Sequence, residues 1–180
     1  MLISYKEALQ KYGSAYQINK AVHRREIFKI NKGLYSDEIY RDEEKELFKK
    51  FNSIVMTLQS AFYYHGVSDY IPDYIHVATP KSSYPINNKN VKQIFMSDHY
   101  LNIGVDEIQK EGFAIKVFDF ERTLIELIRY GNKLPYEEYM HALKKYREKS
   151  NQLNVKKFID YAKKFRYSKK ILNIVETVIL

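Results

Sequence analysis

The sequence predicts an α+β protein in which a small unit of helices and a hairpin precedes a larger part made of strands and helices. Patterns for two helices and a hairpin fit within the first 35 residues, strand patterns group between residues 74 and 118, and helical patterns fill residues 119–179. Strands that are grouped rather than alternating with helices are typical of α+β folds. We therefore expect two domains, residues 1–50 and residues 51–180.

Capping residues predict two short helices at the start of the chain. Ser4, with Glu7 three residues later, has the pattern of a capping box, and Gly13 is suited to end the helix that follows. Ser14 can cap a second helix, which we expect to reach about Arg25.

A hairpin pattern follows the second helix. Residues 27–30 alternate as in a strand, the Asn-Lys-Gly sequence at 31–33 tolerates positive φ, and residues 34–35 begin a return strand. The charged stretch 38–51 is expected to form a helix or a linker.

The larger part begins with a helix from Thr57 to His65, which Gly66 ends. A polar loop is expected at residues 80–90, and residues 110–112 can turn the last two strands into a hairpin. The predicted strands are 74–78, 91–96, 101–109 and 113–118, and the helices after them are 119–130, 136–149, 154–165 and 168–179.

The net charge of +8 is concentrated at the two ends of the chain. Residues 1–35 carry seven basic and two acidic side chains, and residues 136–180 carry eleven and five, whereas the stretch between them is slightly acidic. Clustered positive charge favours a polyanionic partner. For the C-terminal end, a simpler interpretation is a set of lysine-rich, solvated helices.

Composition excludes several classes of function. The absence of cysteine excludes disulfides, thiolate nucleophiles and zinc–thiolate sites, and it fits a cytoplasmic location. The sequence lacks the apolar run of a membrane span and the pattern of a signal peptide, so no membrane association is expected. We expect no catalytic residue, metal or cofactor.

The second helix has one apolar face, centred on Ile18 and flanked by Ala15, Ala21 and Val22. We expect its start to read base edges, and the residues after it to contact phosphates, as in a helix-turn-helix. The start of the helix carries Tyr16, Gln17, Asn19 and Lys20, and His23 lies on the same exposed face. Base reading is expected of Gln17 and Asn19, whereas Lys20 is expected to contact a phosphate, as are Arg24, Arg25, Lys29 and Lys32.

The alternative is that this face is merely solvated, as the polar face of any amphipathic helix is. The charge pattern favours DNA binding, because no acidic residue occurs between Gly13 and Arg25, whereas solvated helices usually mix charges of both signs.

Three motifs in order resemble AbiEi-type antitoxins, the regulators of type IV toxin–antitoxin (abortive infection) systems. The segment 14–35 resembles a recognition helix that runs into a wing ending in Gly-Leu-Tyr. Residues 58–66 resemble a helix with a Ser-Ala step that ends in His-Gly, and residues 119–126 resemble an Asp-x-Glu-Arg-Thr-Leu signature. Together they cover most of the chain down to about residue 150.

The resemblance implies an N-terminal winged helix-turn-helix, a mixed α/β antitoxin domain with C-terminal helices, and repression of the protein's own operon. It also implies a nucleotidyltransferase-like toxin as the functional partner, with direct contact left open. A full winged helix usually has one more helix before the position of Ser4, for which residues 1–3 leave almost no room.

The motif residues also have structural explanations. Asp119 is a good N-cap, Glu121 favours the positive end of a helix, and Arg122 can pair with Glu126 one turn later. His65 is suited to a helix end. The five histidines are scattered without the spacing of metal ligands.

Two other functions compete with DNA binding. A metal-dependent nuclease needs paired carboxylates near a lysine, and the nearest approach is Asp106, Glu107, Glu111 and Lys116, without a recognisable motif. A protein-interaction module could instead use the basic ends to bind an acidic partner.

Overall fold

The computed structural model describes residues 2–37, 42–110 and 113–179 and confirms the mixed α/β character of the chain. The residues fall into two compact units. Unit 1 comprises the described residues up to 52 together with 109–110 and 113–114, and unit 2 comprises the described remainder.

Unit 1 begins with a short strand that sequence patterns did not predict. Strand β1 (Leu2–Ser4) leads directly into helix α1 (Tyr5–Tyr12), and helix α2 (Ala15–His23) follows. Strands β2 (Phe28–Asn31) and β3 (Leu34–Ser36) form the expected hairpin. A three-residue strand is too short for alternation to be recognised, so only its pairing reveals it.

The three strands form one antiparallel sheet in the order β1-β3-β2. Beneath it lies a small core that includes Ile3, Ala8, Ile18 and Ile27. Helix α3 (Glu43–Lys50) lies within the stretch 38–51 that was predicted as a helix or a linker, and it packs against β1. Residues 38–41 of that prediction lie outside the described part of the chain.

Unit 2 contains most of a five-stranded sheet in the order β6-β5-β4-β8-β7. The strands predicted at 74–78, 91–96 and 113–118 are confirmed within two residues, but the one at 101–109 starts late because residues 98–101 form a helical turn instead. The sheet and its neighbouring helices are β4 (Val55–Met56), α4 (Leu58–Tyr64), β5 (Ile75–Pro80), β6 (Val91–Met96), α5 (Asp98–Leu101), β7 (Val105–Lys110) and β8 (Phe113–Phe118).

The sheet is mixed: β4 pairs antiparallel with β5 and parallel with β8, and β5 pairs parallel with β6. Strands β7 and β8 are neighbours, as predicted, although residues 111 and 112 of the proposed turn lie outside the described residues.

Helix α6 (Phe120–Tyr130) is the centre of unit 2. Eight consecutive residues, Glu121–Ile128, are buried, so the helix is enclosed rather than amphipathic at the surface. It packs against α4, α7 (Tyr136–Glu148), α8 (Val155–Ala162) and α9 (Ser168–Ile174), and α9 continues as a π-helical turn over 175–179. All four C-terminal helices predicted from sequence are therefore present.

The Asp119 motif forms a buried ionic network around α6. The Asp119 carboxylate accepts the backbone N–H of Arg122 at 2.7 Å, which confirms the predicted cap. Arg122, whose side chain is 0% exposed, lies 2.7 Å from Glu126, which confirms the predicted pair. Lys157 of α8 lies 3.1 Å from Asp119 and 3.3 Å from Glu121. These contacts tie α8 to α6 and give the motif a structural role.

His65 also has a structural position, at the end of α4. Its Nε2–H donates to the Phe118 carbonyl at 2.7 Å, and its own carbonyl accepts from Lys149 at 2.9 Å. Burial lowers the pKa of His65 below its usual value, against the opposing effect of that carbonyl.

Candidate nucleic-acid interface

Helix α2 is positioned by the turn before it and by its apolar face. Gly13 takes a φ of 81°, which ends α1, and the Ser14 hydroxyl accepts the Gln17 N–H at 3.3 Å, which caps α2. Ile18 and Ala21 are buried in the core of unit 1, as predicted. Ala15, expected beside them, is exposed, because the buried stripe of this short helix is narrower than predicted.

The opposite face of α2 is open to solvent. Tyr16 is 72% exposed, and the other four residues of this face are also exposed: Gln17, Asn19, Lys20 and His23. Among the described residues, the side-chain contact of this face is a local hydrogen bond from His23 Nδ1 to the Asn19 carbonyl at 2.8 Å. The amide and cationic groups of this face are thus available to an external partner.

The end of α2 contains a strained residue. Arg25 has a φ of 59°, in the left-handed region that glycine usually occupies after a helix. Its N–H donates to the Val22 carbonyl at 3.1 Å, and the Glu26 N–H donates to the Ala21 carbonyl at 3.0 Å, the two bonds of a Schellman motif. This conformation was not predictable from sequence, because the position lacks a glycine or asparagine.

The remaining predicted cations lie at the helix end and on the hairpin. Arg24 is exposed, 3.8 Å from Glu26, too far for a close hydrogen bond. Lys29 and Lys32 are exposed, and Lys32 precedes Gly33, which makes the hairpin turn with a φ of 78°. All nine residues predicted to bind DNA are therefore in the described part of unit 1 and exposed.

The charge of this surface is largely uncompensated. Within the described residues, Lys20, Arg25, Lys29 and Lys32 form no ion pair. The main acidic stretch of unit 1 is on α3, where Glu44 instead pairs with Lys110 at 2.8 Å. The α2 face and the hairpin therefore present positive charge suited to phosphate.

The two described carboxylates that were considered for a nuclease do not share a face of their strand. Asp106 and Glu107 are exposed neighbours on β7, and successive residues of a strand point to opposite faces. Glu111 lies outside the described residues, and among those described no three histidine or acidic side chains are grouped as metal ligands. Nor does any described helix have the length and hydropathy needed to cross a bilayer.

The chain matches no known protein-family model, and no curated protein matches it significantly.

Proposed function

We propose that this chain is a DNA-binding repressor and the antitoxin of a toxin–antitoxin pair, and that it binds DNA through the exposed face of α2. The observation that carries the proposal is the combination on this face of exposed amides, exposed cations and no carboxylate from Ser14 to Arg25. Gln17 and Asn19 can pair with base edges in the major groove, while Lys20 and Arg24 reach phosphates.

The topology of unit 1 supports a winged-helix mode of binding. A strand, two helices and a hairpin follow one another, and the first strand pairs with the third in the order β1-β3-β2. This is the arrangement expected of a winged helix after its first helix. In this proposal α2 is the recognition helix, and Lys32 at the hairpin tip follows the DNA backbone.

The antitoxin role is supported by the ordered resemblance to AbiEi-type antitoxins, and we place it in unit 2. We propose a cytoplasmic protein that represses its own operon and counteracts a nucleotidyltransferase-like toxin. The AbiEi-like signature at residues 119–126 contributes to this role by holding unit 2 together, because its charged groups are buried.

One observation favours a protein-interaction function as the second candidate. A cavity of about 440 Å³ in unit 2 is lined by Tyr70, Ile71 and Pro72, with Glu137 and Glu138 beside them. Ile71 is 77% exposed, and exposed apolar groups rimmed by polar ones commonly mark protein interfaces. Such a surface suits a basic protein partner rather than the acidic one expected from sequence.

The test of DNA binding uses a duplex from the region directly upstream of the gene and a shuffled duplex of equal composition. Gln17→Ala and Asn19→Ala should each weaken binding to the upstream duplex by about 1–3 kcal/mol, and leave binding to the shuffled duplex nearly intact. Lys20→Ala and Lys32→Ala should weaken binding to both duplexes and flatten the salt dependence.

Lys81→Ala and Lys89→Ala are matched controls, since both lysines are exposed in the loop after β5. Equal losses on both duplexes for Gln17→Ala and Asn19→Ala would contradict the proposed orientation of α2. Equal effects of the control substitutions would contradict the assignment of the site to unit 1.

Full-length variants separate repression from toxin neutralisation better than truncation does. Residues 109–110 and 113–114 belong to unit 1, so a fragment starting at residue 51 would lose their packing partners. A chain with Lys20, Arg24 and Arg25 changed to Ala should lose operon repression but still protect cells from the toxin. Ile71→Asp tests the second candidate, because it should abolish protection and spare repression if the toxin docks there.

A further inference from the structure

Unit 2 contains a cleft that sequence patterns did not reveal. Its volume is about 650 Å³, within the range of small-molecule sites. It lies where the end of α6 and the following turn meet the segment between α8 and α9. Its lining includes Tyr100, Arg129, Lys133, Arg166, Tyr167 and Lys170.

The cleft is strongly basic. Four cationic side chains line it, and the described residues of its lining include no carboxylate. Arg129 is paired with Glu126, but Lys133, Arg166 and Lys170 form no ion pair within the described residues. Three uncompensated positive charges around one cavity attract an anion of multiple charge, such as an oligophosphate.

Aromatic rings accompany these charges. Tyr167 is 70% exposed and has a φ of 65°, so a strained backbone presents a large ring to solvent. The Arg166 guanidinium lies 5.5 Å from the centre of that ring. Tyr100 stacks on the buried Phe165 with ring centres 4.9 Å apart, which fixes a second aromatic wall.

One of the two arginines of the cleft, Arg129, is held in place from inside unit 2. Arg129 Nη1 lies 2.6 Å from Glu126 Oε1, and Arg122 Nη2 lies 2.7 Å from the same oxygen. Because Glu126 and Arg122 are fully buried, this anchor is shielded from water. The network that includes the Asp119 motif therefore also orders one wall of the cleft.

We propose that the cleft binds a nucleoside phosphate, with the phosphates on Lys133, Arg166 and Lys170 and the base stacked on Tyr167. Cations alone would suit any polyanion, but the exposed Tyr167 ring beside them suits a base, because bases stack on aromatic side chains. The volume accommodates one nucleotide. A free nucleotide and the end of an RNA strand share this chemistry. The site shares no residue with the proposed DNA-binding face, and the proposal does not depend on that face.

The experiment measures binding of the full-length chain to fluorescent ATP and GTP and to a labelled ten-nucleotide RNA, with pyrophosphate as a competitor. Tyr167→Ala should weaken binding at least about fivefold, since stacking on one ring contributes that much, while Tyr167→Phe should retain binding. The double variant Lys133→Ala, Lys170→Ala should weaken it at least about tenfold and flatten its salt dependence.

Matched controls come from the loop after β5. Tyr84 is 91% exposed, and Lys81 and Lys89 are exposed on the same loop, so Tyr84→Ala and the double variant Lys81→Ala, Lys89→Ala should bind normally. The chain with Lys20, Arg24 and Arg25 changed to Ala should also bind normally, which separates this cleft from the DNA-binding face.

Competition by unlabelled mononucleotide would support a free nucleotide as the ligand, and binding of RNA alone would support a strand end. The proposal is overturned if no probe binds below about 1 mM. It is also overturned if the control variants lose affinity equally, or if pyrophosphate binds as tightly as ATP and Tyr167→Ala has no effect.

Discussion

Replacing Arg25 by glycine should stabilise the protein and weaken its binding to DNA at the same time. Arg25 ends α2 with a φ of 59°. This conformation is strained for an arginine, whereas a glycine adopts it freely. Its side chain is exposed and forms no ion pair among the described residues. An arginine at this position is explained if its charge has a partner outside the chain.

The magnitude follows from two opposing effects. The left-handed conformation costs a non-glycine residue about 1–2 kcal/mol. Glycine loses about 0.5–1 kcal/mol more backbone entropy on folding than other residues do. Arg25→Gly should therefore raise the free energy of unfolding by about 0.5–1 kcal/mol. For a chain of this size that corresponds to a rise in Tm of about 1–4 °C.

The assay combines thermal unfolding with DNA binding at several salt concentrations, with Arg25→Ala as the control. Both variants should lower the slope of log affinity against log salt by about 0.9, the effect of one lost phosphate contact. Only Arg25→Gly should be stabilised, because alanine keeps the strain. A loss of stability in Arg25→Gly would refute the assigned helix end, and unchanged DNA binding in both variants would refute the phosphate contact.

Three further predictions concern unit 2. Arg122→Met should lower the free energy of unfolding by about 3–5 kcal/mol, because the buried Glu126 loses an ion-pair partner. Adding Glu126→Leu should restore most of the lost stability. Gly104→Ala should cost about 3 kcal/mol, because its φ is 65° and an added Cβ would lie 2.6 Å from the Arg122 Cβ. Burial lowers the pKa of His76 to about 4. As the pH drops, His76 is therefore protonated in the unfolded chain at a higher pH than in the folded chain. The free energy of unfolding should fall by about 3 kcal/mol between about pH 6.5 and pH 4.

Urea unfolding measures all three, and each has a control. Gly13→Ala also introduces a side chain at positive φ but meets nothing within 4 Å, so it should cost only about 1 kcal/mol. His76→Gln should reduce the fall in stability between pH 6.5 and 4 by about 3 kcal/mol, and the lowered pKa of His65 should leave a remaining fall. The first prediction is contradicted if the stability losses of the Arg122 and Glu126 substitutions simply add in the double variant. The second is contradicted if Gly13→Ala and Gly104→Ala cost the same, and the third if His76→Gln leaves the dependence of stability on pH unchanged.

Much of the fold was predictable because local signals were strong. Ser4, Gly13 and Asp119 set helix ends through hydrogen bonds and backbone conformations that neighbouring residues determine. Strands β1 and β4, of three and two residues, could not be predicted, since such short strands are defined by partners distant in sequence. The helical turn at Asp98–Leu101 was also missed, because its last residue fits the start of the strand that was predicted at 101–109.

The two candidate sites differ in how far sequence could predict them. The exposure of the α2 face follows from the placement of Ile18 and Ala21 on the opposite side, so a helical pattern was sufficient. The cleft brings Arg129 and Lys133 together with Tyr167 across more than thirty residues of sequence, and only the folded chain does that. The burial of Arg122 was equally unpredictable, since a pair one turn apart is usually solvated.

The most direct test of the central claim is to locate the surface that contacts DNA. Tyr16, on the α2 face, and the more exposed Tyr84, in unit 2, can each be replaced by a photo-crosslinking phenylalanine analogue in the full-length chain. After irradiation with the duplex from upstream of the gene, we expect a protein–DNA crosslink from position 16, abolished by excess unlabelled upstream duplex but not by shuffled duplex. Crosslinking from position 84 alone, or equally from both positions, would contradict DNA recognition by α2.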